Sequence, residues 1–317
     1  MSPFAKRTSD SVASLGEERL IAAIRRWLGS ATPPAPHGIG DDCAVLPPSK
    51  RRQAITVDPV IYGRHFDDQV PPRAVGAKLL KRNLSDLAAM GAEPTAAVIA
   101  LTLDPRVSIV WLETFYRGLA ACARTYGVPI VGGDIAQADG VLAANLTLLG
   151  QATGPRMLLR TGAEIGDWIY VTGKLGGSIA GHHFSFKPRL AEGAWLAARA
   201  ETLAMIDLSD GLAKDLRALT PKKAEPSIIA KFVPISQDAV RLAKKTGRTP
   251  LAHALSDGED YELLFVVSQN ANHFAFERAW HRRFKTPLSC LGHFVQLGHR
   301  AADTVELGKF HGYEHLR

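Results

Sequence analysis

Cysteine is scarce in this chain. Among 317 residues only Cys43, Cys122 and Cys290 carry thiols, far apart and without a CxxC pair. That spacing excludes a disulfide framework and argues against a cysteine-held zinc ion. Long apolar runs are also lacking, so no segment reads as a membrane span. The opening residues, MSPFAKRTSDSVASLGEERL, are polar and lack a signal-peptide core. A reduced, cytoplasmic protein with no membrane partner is expected. The phosphate-binding pattern GxxxxGK[ST] does not occur; Gly173-Lys174-Leu175-Gly176-Gly177-Ser178 is glycine-rich without matching it. Short-period repeats and low-complexity tracts are missing as well.

Acidic residues are outnumbered, with 31 Asp and Glu against 38 Lys and Arg, a formal net charge of +7. The basic residues cluster only briefly, at Lys50-Arg51-Arg52, Lys222-Lys223 and His281-Arg282-Arg283. None of these alternates with aromatics as a groove for single strands does. Nucleic acid is therefore not an expected partner, and anionic small substrates give the charge a use.

Hydrophobic residues make up 46% and charged residues 22%, a globular composition in a chain long enough for two domains. Apolar spacing predicts helices over 16–29, 72–91 and 108–126, the second opened by Pro72 and the third capped by Ser108. Strands are expected at QAITVDPVI, at TAAVIALTL, in VPIVGGD (ending in a tight turn) and in VLAANLTLLGQATG. Beyond Gly154 the pattern continues as strand DWIYVTG and helix RLAEGAWLAARA. AMIDLSDGLAKDLRAL reads as strand, turn and helix, and HALSDGEDYELLFVVS as a polar loop entering a strand. SCLGHFV and TVELG read as short strands. The class is α/β in the first half and α+β in the second. Residues 1–14 are expected to be a flexible N-terminus, with a boundary between domains at 154/155.

The aspartates occupy unusual places. Asp41 and Asp42 follow Gly38-Ile39-Gly40; Asp58 lies near the end of an apolar strand; Asp86 sits inside an apolar helix; Asp134 follows Ile130-Val131-Gly132-Gly133; Asp207 and Asp210 flank Ser209. Burying such groups is costly unless they are paired, hydrogen-bonded or metal-bound. Converging carboxylates repel, and a divalent cation relieves the repulsion. Magnesium prefers carboxylate and phosphate oxygens, and neighbouring glycines admit a close ligand. A nucleotide-phosphate site held through metal is the joint reading. Singly, each has a plainer one: a turn at 41–42, an exposed or satisfied Asp86, a helix cap from Asp207 or Ser209, a turn at Gly-Gly-Asp.

Taken together and in order, GIGDDCAVL (38–46), TVDPVIYGRHF (56–66), NLSDLAAMGAEP (83–94), VGGD (131–134), RTGAEIGDWIYVTG (160–173), IDLSDGLAKDL (206–216), DGEDYELLF (257–265) and GYEHL (312–316) resemble the thiamine-monophosphate kinase family. NLSDLAAMGA with GEDYEL in one chain is the specific part. The resemblance implies the two-domain PurM-like fold shared with aminoimidazole ribonucleotide synthetase. Residues 15–154 would form an ATP- and magnesium-binding domain that pairs into a homodimer through a shared β-barrel. Residues 155–317 would form an α+β sandwich. The implied activity is direct in-line phosphoryl transfer from ATP to thiamine monophosphate, needing no strong general base because the attacking phosphate oxygen is already ionised. Implied metal ligands are Asp42, Thr56, Val57 (through its carbonyl), Asp58, Asp86, Asp134, Asp207 and Asp210. Gly133, Asp134, Arg160 and Ser209 would contact ATP. His65, Glu259 and Tyr313 would contact thiamine monophosphate. Asp86, Asp134 and Arg160 would carry catalysis, with several Mg²⁺ ions and K⁺ as a further candidate ion.

The chain departs from the family pattern at several places. Val57 stands for a threonine, Ile135 for another, Asp257 for a glycine, and Lys81-Arg82 for small apolar residues; HHFSFKPRL (182–190) has lost the first arginine of its motif. An enzyme of the same fold with another phosphate or amide substrate, or a nucleotide-binding relative without turnover, is the alternative these changes leave.

Overall fold

The computed structural model describes all residues except 36, 40–42 and 315–317. Two compact units emerge: Met1–Leu87 with Glu93–Gln151, and Ala88–Ala92 with Ala152–Arg317. Among the described residues no helix is long and apolar enough to cross a membrane.

The first unit runs α1 (Glu17–Leu28), β1 (Gln53–Ile61), α2 (Pro72–Met90, its last residues grouping with the second unit), β2 (Ala92–Leu103), α3 (Ile109–Tyr126), β3 (Ile130–Gln137) and β4 (Leu142–Ala152). The strands form an open sheet in the order β1-β4-β2-β3, with β1 antiparallel to β4 and β2 parallel to β3. Proline opens α2, where its missing N–H costs nothing, and Val75, Leu79, Leu80, Leu84 and Leu87 are buried along it. Ser108 caps α3 by accepting from Trp111 N, and Gly127 ends it in the left-handed conformation at φ 67°. The segment read as a flexible N-terminus is pinned: Ala5 N donates to Arg106 O, Val12 N to Val107 O, and Val12 is buried. Its polar composition concealed this backbone pairing.

The second unit contains β5 (Trp168–Thr172), α4 (His182–Ser185), α5 (Leu190–Ala197), β6 (Thr202–Asp207), α6 (Leu212–Leu219), β7 (Ala224–Ile228), α7 (Gln237–Thr246), α8 (Pro250–Ser256), β8 (Leu263–Val267), α9 (His273–Arg283) and β9 (Leu288–Gln296). Its sheet, β6-β8-β5-β9-β7, is antiparallel throughout. Every residue of β8 is buried, because both faces are covered. Leu264 and Val266 point into one core with Leu212 and Leu216 of α6. Leu263, Phe265 and Val267 point into the other with Phe276 and Trp280 of α9. Alternation along a strand makes this two-sided burial possible.

Several expectations change. TVELG makes only a bridge, Ile229 with Thr304, followed by a 3-10 turn at Leu307–Lys309. His253 to Ser256 end helix α8 and are not part of a polar loop, since Thr249 caps the helix and Pro250 starts it. Strand β3 does not turn at Gly-Gly-Asp; pairing with β2 carries it through Gly133 and Asp134 to Gln137.

Candidate active site

Strand alternation sorts β1 into two faces. Ile55 and Val57 are 71% and 60% exposed, whereas Thr56 and Asp58 are half-buried against α2. Two residues of strand advance ~6.6 Å and four residues of helix ~6 Å, so two strand positions match two helix positions. Thr56 Oγ1 donates to Asp86 Oδ2 at 2.5 Å. One helical turn back, Arg82 Nη2 lies 3.3 Å from Asp58 Oδ1, and its Nη1 donates to Pro59 O at 2.5 Å. At the strand's last residue, Ile61 N donates to His65 Nδ1 at 3.1 Å, which leaves the proton of the neutral ring on Nε2. Lys78, fully buried, donates through Nζ to His65 O at 2.9 Å.

On the same unit a cavity of about 510 Å³ opens between α1, α3 and β3, a volume suited to a small organic ligand. Ile21, Ile24 and Leu28 form one wall and Tyr116 another; Gly132, Gly133, Asp134 and Ile135 form the β3 side. Gly133 is required there, because a Cβ would meet Ile99 O at 2.2 Å. Burial holds the Tyr116 hydroxyl well above the usual phenol range, so it stays protonated. Sequence reading missed Tyr116, which looked like one more apolar position of α3; the cavity is the signal that singles it out.

In the second unit the loops 207–211 and 257–262 run side by side. Glu259 N donates to Ser209 O at 2.8 Å and Tyr261 N to Leu208 O at 2.8 Å. The C-terminal segment docks on the same loop: Tyr313 N donates to Asp210 O at 2.9 Å, and Lys214 Nζ reaches Tyr313 O at 2.5 Å and Asp210 Oδ2 at 2.9 Å. Ser209, Asp210, Glu259 and Tyr313 are thus brought together. Glu259 and Tyr261 both take positive φ, at 62° and 52°, strain that often marks a functional loop. Tyr261 Oη donates to Glu259 Oε1, and His183 lies 3.5 Å from Glu259 Oε2.

Neither Asp207 nor Ser209 caps α6. Asp207 is buried at the end of β6, and Asp215, inside the helix, accepts from Asp210 N and Gly211 N. Burial pushes the Asp215 carboxyl up to about 7 against those N–H bonds. Arg160 is exposed. The unexpected Asp257 is not a loose charge: it accepts from Gly177 N at 2.8 Å, sits 2.9 Å from His253 Nδ1 and pairs with Arg248 at 3.4 Å. Arg189, the retained arginine of 182–190, grips Glu262 with two nitrogens.

Asp42, with Asp41, lies outside the described residues. Among the described residues no group of three His, Cys, Asp or Glu side chains is disposed to hold a metal ion. Thr56, Asp58 and Asp86 meet between β1 and α2, whereas Asp134 lies on β3 at the opposite edge of the sheet; each presents oxygen only, a donor type that fits magnesium and not a softer metal.

Comparison with known proteins gives a consistent picture. Residues 40–153 match the AIR synthase related protein, N-terminal domain. A thiamine-monophosphate kinase of Rhodopirellula baltica is 40% identical over 261 residues, 79% of this chain and 82% of that protein. The crystal structure of thiamine-monophosphate kinase from Stenotrophomonas maltophilia superposes with a TM-score of 0.73 at 29% identity, covering 86% of this chain and 93% of its own. AaThiL complexed with AMPPCP and TMP superposes with a TM-score of 0.72 at 26% identity, covering 96% of this chain and 98% of its own.

Proposed function

The chain belongs to the thiamine-monophosphate kinase family, and from that premise we propose that it transfers the γ-phosphoryl group of ATP directly to thiamine monophosphate. The carrying observation is the cavity on β3, whose floor is the Gly132-Gly133-Asp134 segment shared with the family motif. Its apolar walls suit a nucleotide base beside Tyr116, with the phosphates running toward Gly133 and Asp134. Arg160 and Ser209 are the further proposed ATP contacts. His65, together with Glu259 and Tyr313, is proposed to hold thiamine monophosphate. The nucleophilic phosphate oxygen is ionised at neutral pH, so the chain's task is orientation and charge neutralisation. Magnesium, when bound by Asp42, Thr56, the Val57 carbonyl, Asp58, Asp86, Asp134, Asp207 and Asp210, supplies positive charge to the phosphates; K⁺ is a proposed additional ion. The Thr56 hydroxyl fixes the orientation of the Asp86 carboxylate, and the net charge of +7 favours two anionic reactants.

Residues 15–154 are proposed as the nucleotide and dimerisation domain and 155–317 as its C-terminal companion. A homodimer has a natural seam at the edge strand β1, where Ile55 and Val57 stand exposed. The test is product analysis after mixing protein, MgATP and thiamine monophosphate. Equimolar ADP and thiamine diphosphate are expected. Nucleotide binding without turnover, or turnover only with a different acceptor, overturns the proposal.

A further inference from the structure

Arg82 is one of several polar side chains that α2 buries, with Lys78, Asn83 and Ser85. It is 6% exposed, among Leu79, Leu80 and Leu84 at 0%. A guanidinium stays charged at every accessible pH, so a buried one needs compensating oxygens. Arg82 finds them on β1, at the Asp58 carboxylate and the Pro59 carbonyl. The consequence falls on Asp58. Its neighbours in the row, Thr56 and Asp86, are joined by a hydroxyl-to-carboxylate hydrogen bond, and Asp58 has a fixed cation 3.3 Å from Oδ1. The adjoining Val57 turns its side chain to solvent and offers no side-chain oxygen.

We propose that Arg82 is an internal cation: it supplies at Asp58 the positive charge that a divalent ion would otherwise bring, and so sets how tightly this end of the site takes Mg²⁺. The inference rests on the reading of Asp58 as a metal ligand. Two like charges compete for one carboxylate, and the tethered one is always present. Arg82 is thus a positioning residue that lowers divalent affinity at Asp58 and holds its carboxylate in place before metal arrives.

The test is a metal titration of the full chain without nucleotide or thiamine monophosphate. Mn²⁺ serves as the probe, with free ion counted by electron paramagnetic resonance. Arg82→Gln is expected to bind Mn²⁺ about tenfold more tightly than the unmodified protein, the scale of one charge-assisted contact. Its melting temperature should also rise more with added Mg²⁺. Arg82→Lys, which keeps the charge, should stay close to the unmodified protein. Should Arg82→Gln not fold without metal, Arg82→Met, an apolar side chain of similar length suited to a buried position, takes its place in the same titration with the same expected gain. Equal or weaker Mn²⁺ binding by the neutral Arg82 variants, or no Mn²⁺ binding by any of these proteins, overturns the proposal. A failure of the kinase reading shows itself separately, as absent thiamine diphosphate in a protein whose metal titration still behaves as expected.

Discussion

Thr56 and Asp86 are separated by 30 positions in the chain and joined by one hydrogen bond, hydroxyl to carboxylate, across the gap between a strand and a helix. The bond settles which way an aspartate points inside a largely apolar helix. It also makes the hydroxyl a device for aiming a charge, since threonine offers little else at a half-buried strand position.

Replacing Asp86 by asparagine keeps size and leaves an oxygen to accept from Thr56, while removing the charge. The expected result is a fall in kcat of at least ~100-fold at saturating MgATP, with a melting temperature within a few degrees of the parent, the equivalent of under ~1 kcal/mol. Steady-state kinetics and a thermal scan check both halves. Undiminished kcat would remove Asp86 from the reaction.

Gly133→Ala tests the β3 wall of the cavity. The added methyl would lie 2.2 Å from Ile99 O, a backbone atom that cannot swing away. Strand β3 must shift from β2, at a cost of about 1–3 kcal/mol. Equilibrium denaturation should show that loss, and calorimetric ATP titration should show weakened binding. Gly132→Ala, whose new methyl meets only the Val98 side chain at an ordinary 3.5 Å, is the control and should bind nearly normally. Equal behaviour of the two variants would contradict the close-approach argument.

Asp104 gives a pH prediction. Its buried carboxylate accepts from Arg106 Nε and Nη2, from Arg106 N and from Gly140 N, all within 2.8 Å. The Arg106 side chain is the main cause that holds its pKa well below the usual carboxylate range. A carboxyl depressed in the folded state stabilises above its unfolded value of ~3.9, and the contribution disappears as pH falls through the folded value. Asp104→Asn should therefore cost about 1–3 kcal/mol at neutral pH. Its stability should depend less on pH below about 4 than the parent's. Urea titrations across that range are the measurement; parallel curves would count against it.

Arg189 and Glu262 anchor the second unit. Glu262 is 3% exposed at the side chain and takes Arg189 and the Thr172 hydroxyl together. Arg189→Met leaves that carboxylate buried without its cation, so a loss of about 3–5 kcal/mol is expected. The double change Arg189→Met with Glu262→Gln should recover part of it, because position 262 then carries no charge, while Glu192, 3.8 Å from Arg189, still loses its partner. Chemical denaturation of the set checks the order; a double variant no better than Arg189→Met would refute the charge argument.

Much of this was legible in the residues. The amphipathic pattern of 16–29, the Pro72 start and Gly91 end of α2, and the Ser108 cap gave helices within a residue or two of their true bounds. Helices α7 and α9 were missed, although Ser236 and Asn272 cap them, because lysine- and arginine-rich exposed faces hide a thin apolar stripe. At Gly132-Gly133 local turn propensity misled, since the strand is imposed by pairing with β2, a partner some 34 positions away, as Ile99 faces Gly133. Aspartates in apolar surroundings announced themselves by cost. Tyr116 did not, for an aromatic on a buried helix face looks the same whether it borders a core or a ligand cavity.

The alternation along β1 has an evolutionary corollary. Thr56 and Asp58 share one side of the strand and Ile55 and Val57 the other. Deleting a single codon upstream of position 56 within this strand would slide the chain by one place and present isoleucine and valine to α2, with both oxygen-bearing side chains thrown outward. Descendants of this gene can exchange letters in the segment one at a time, but they cannot change its length by one without turning the site inside out.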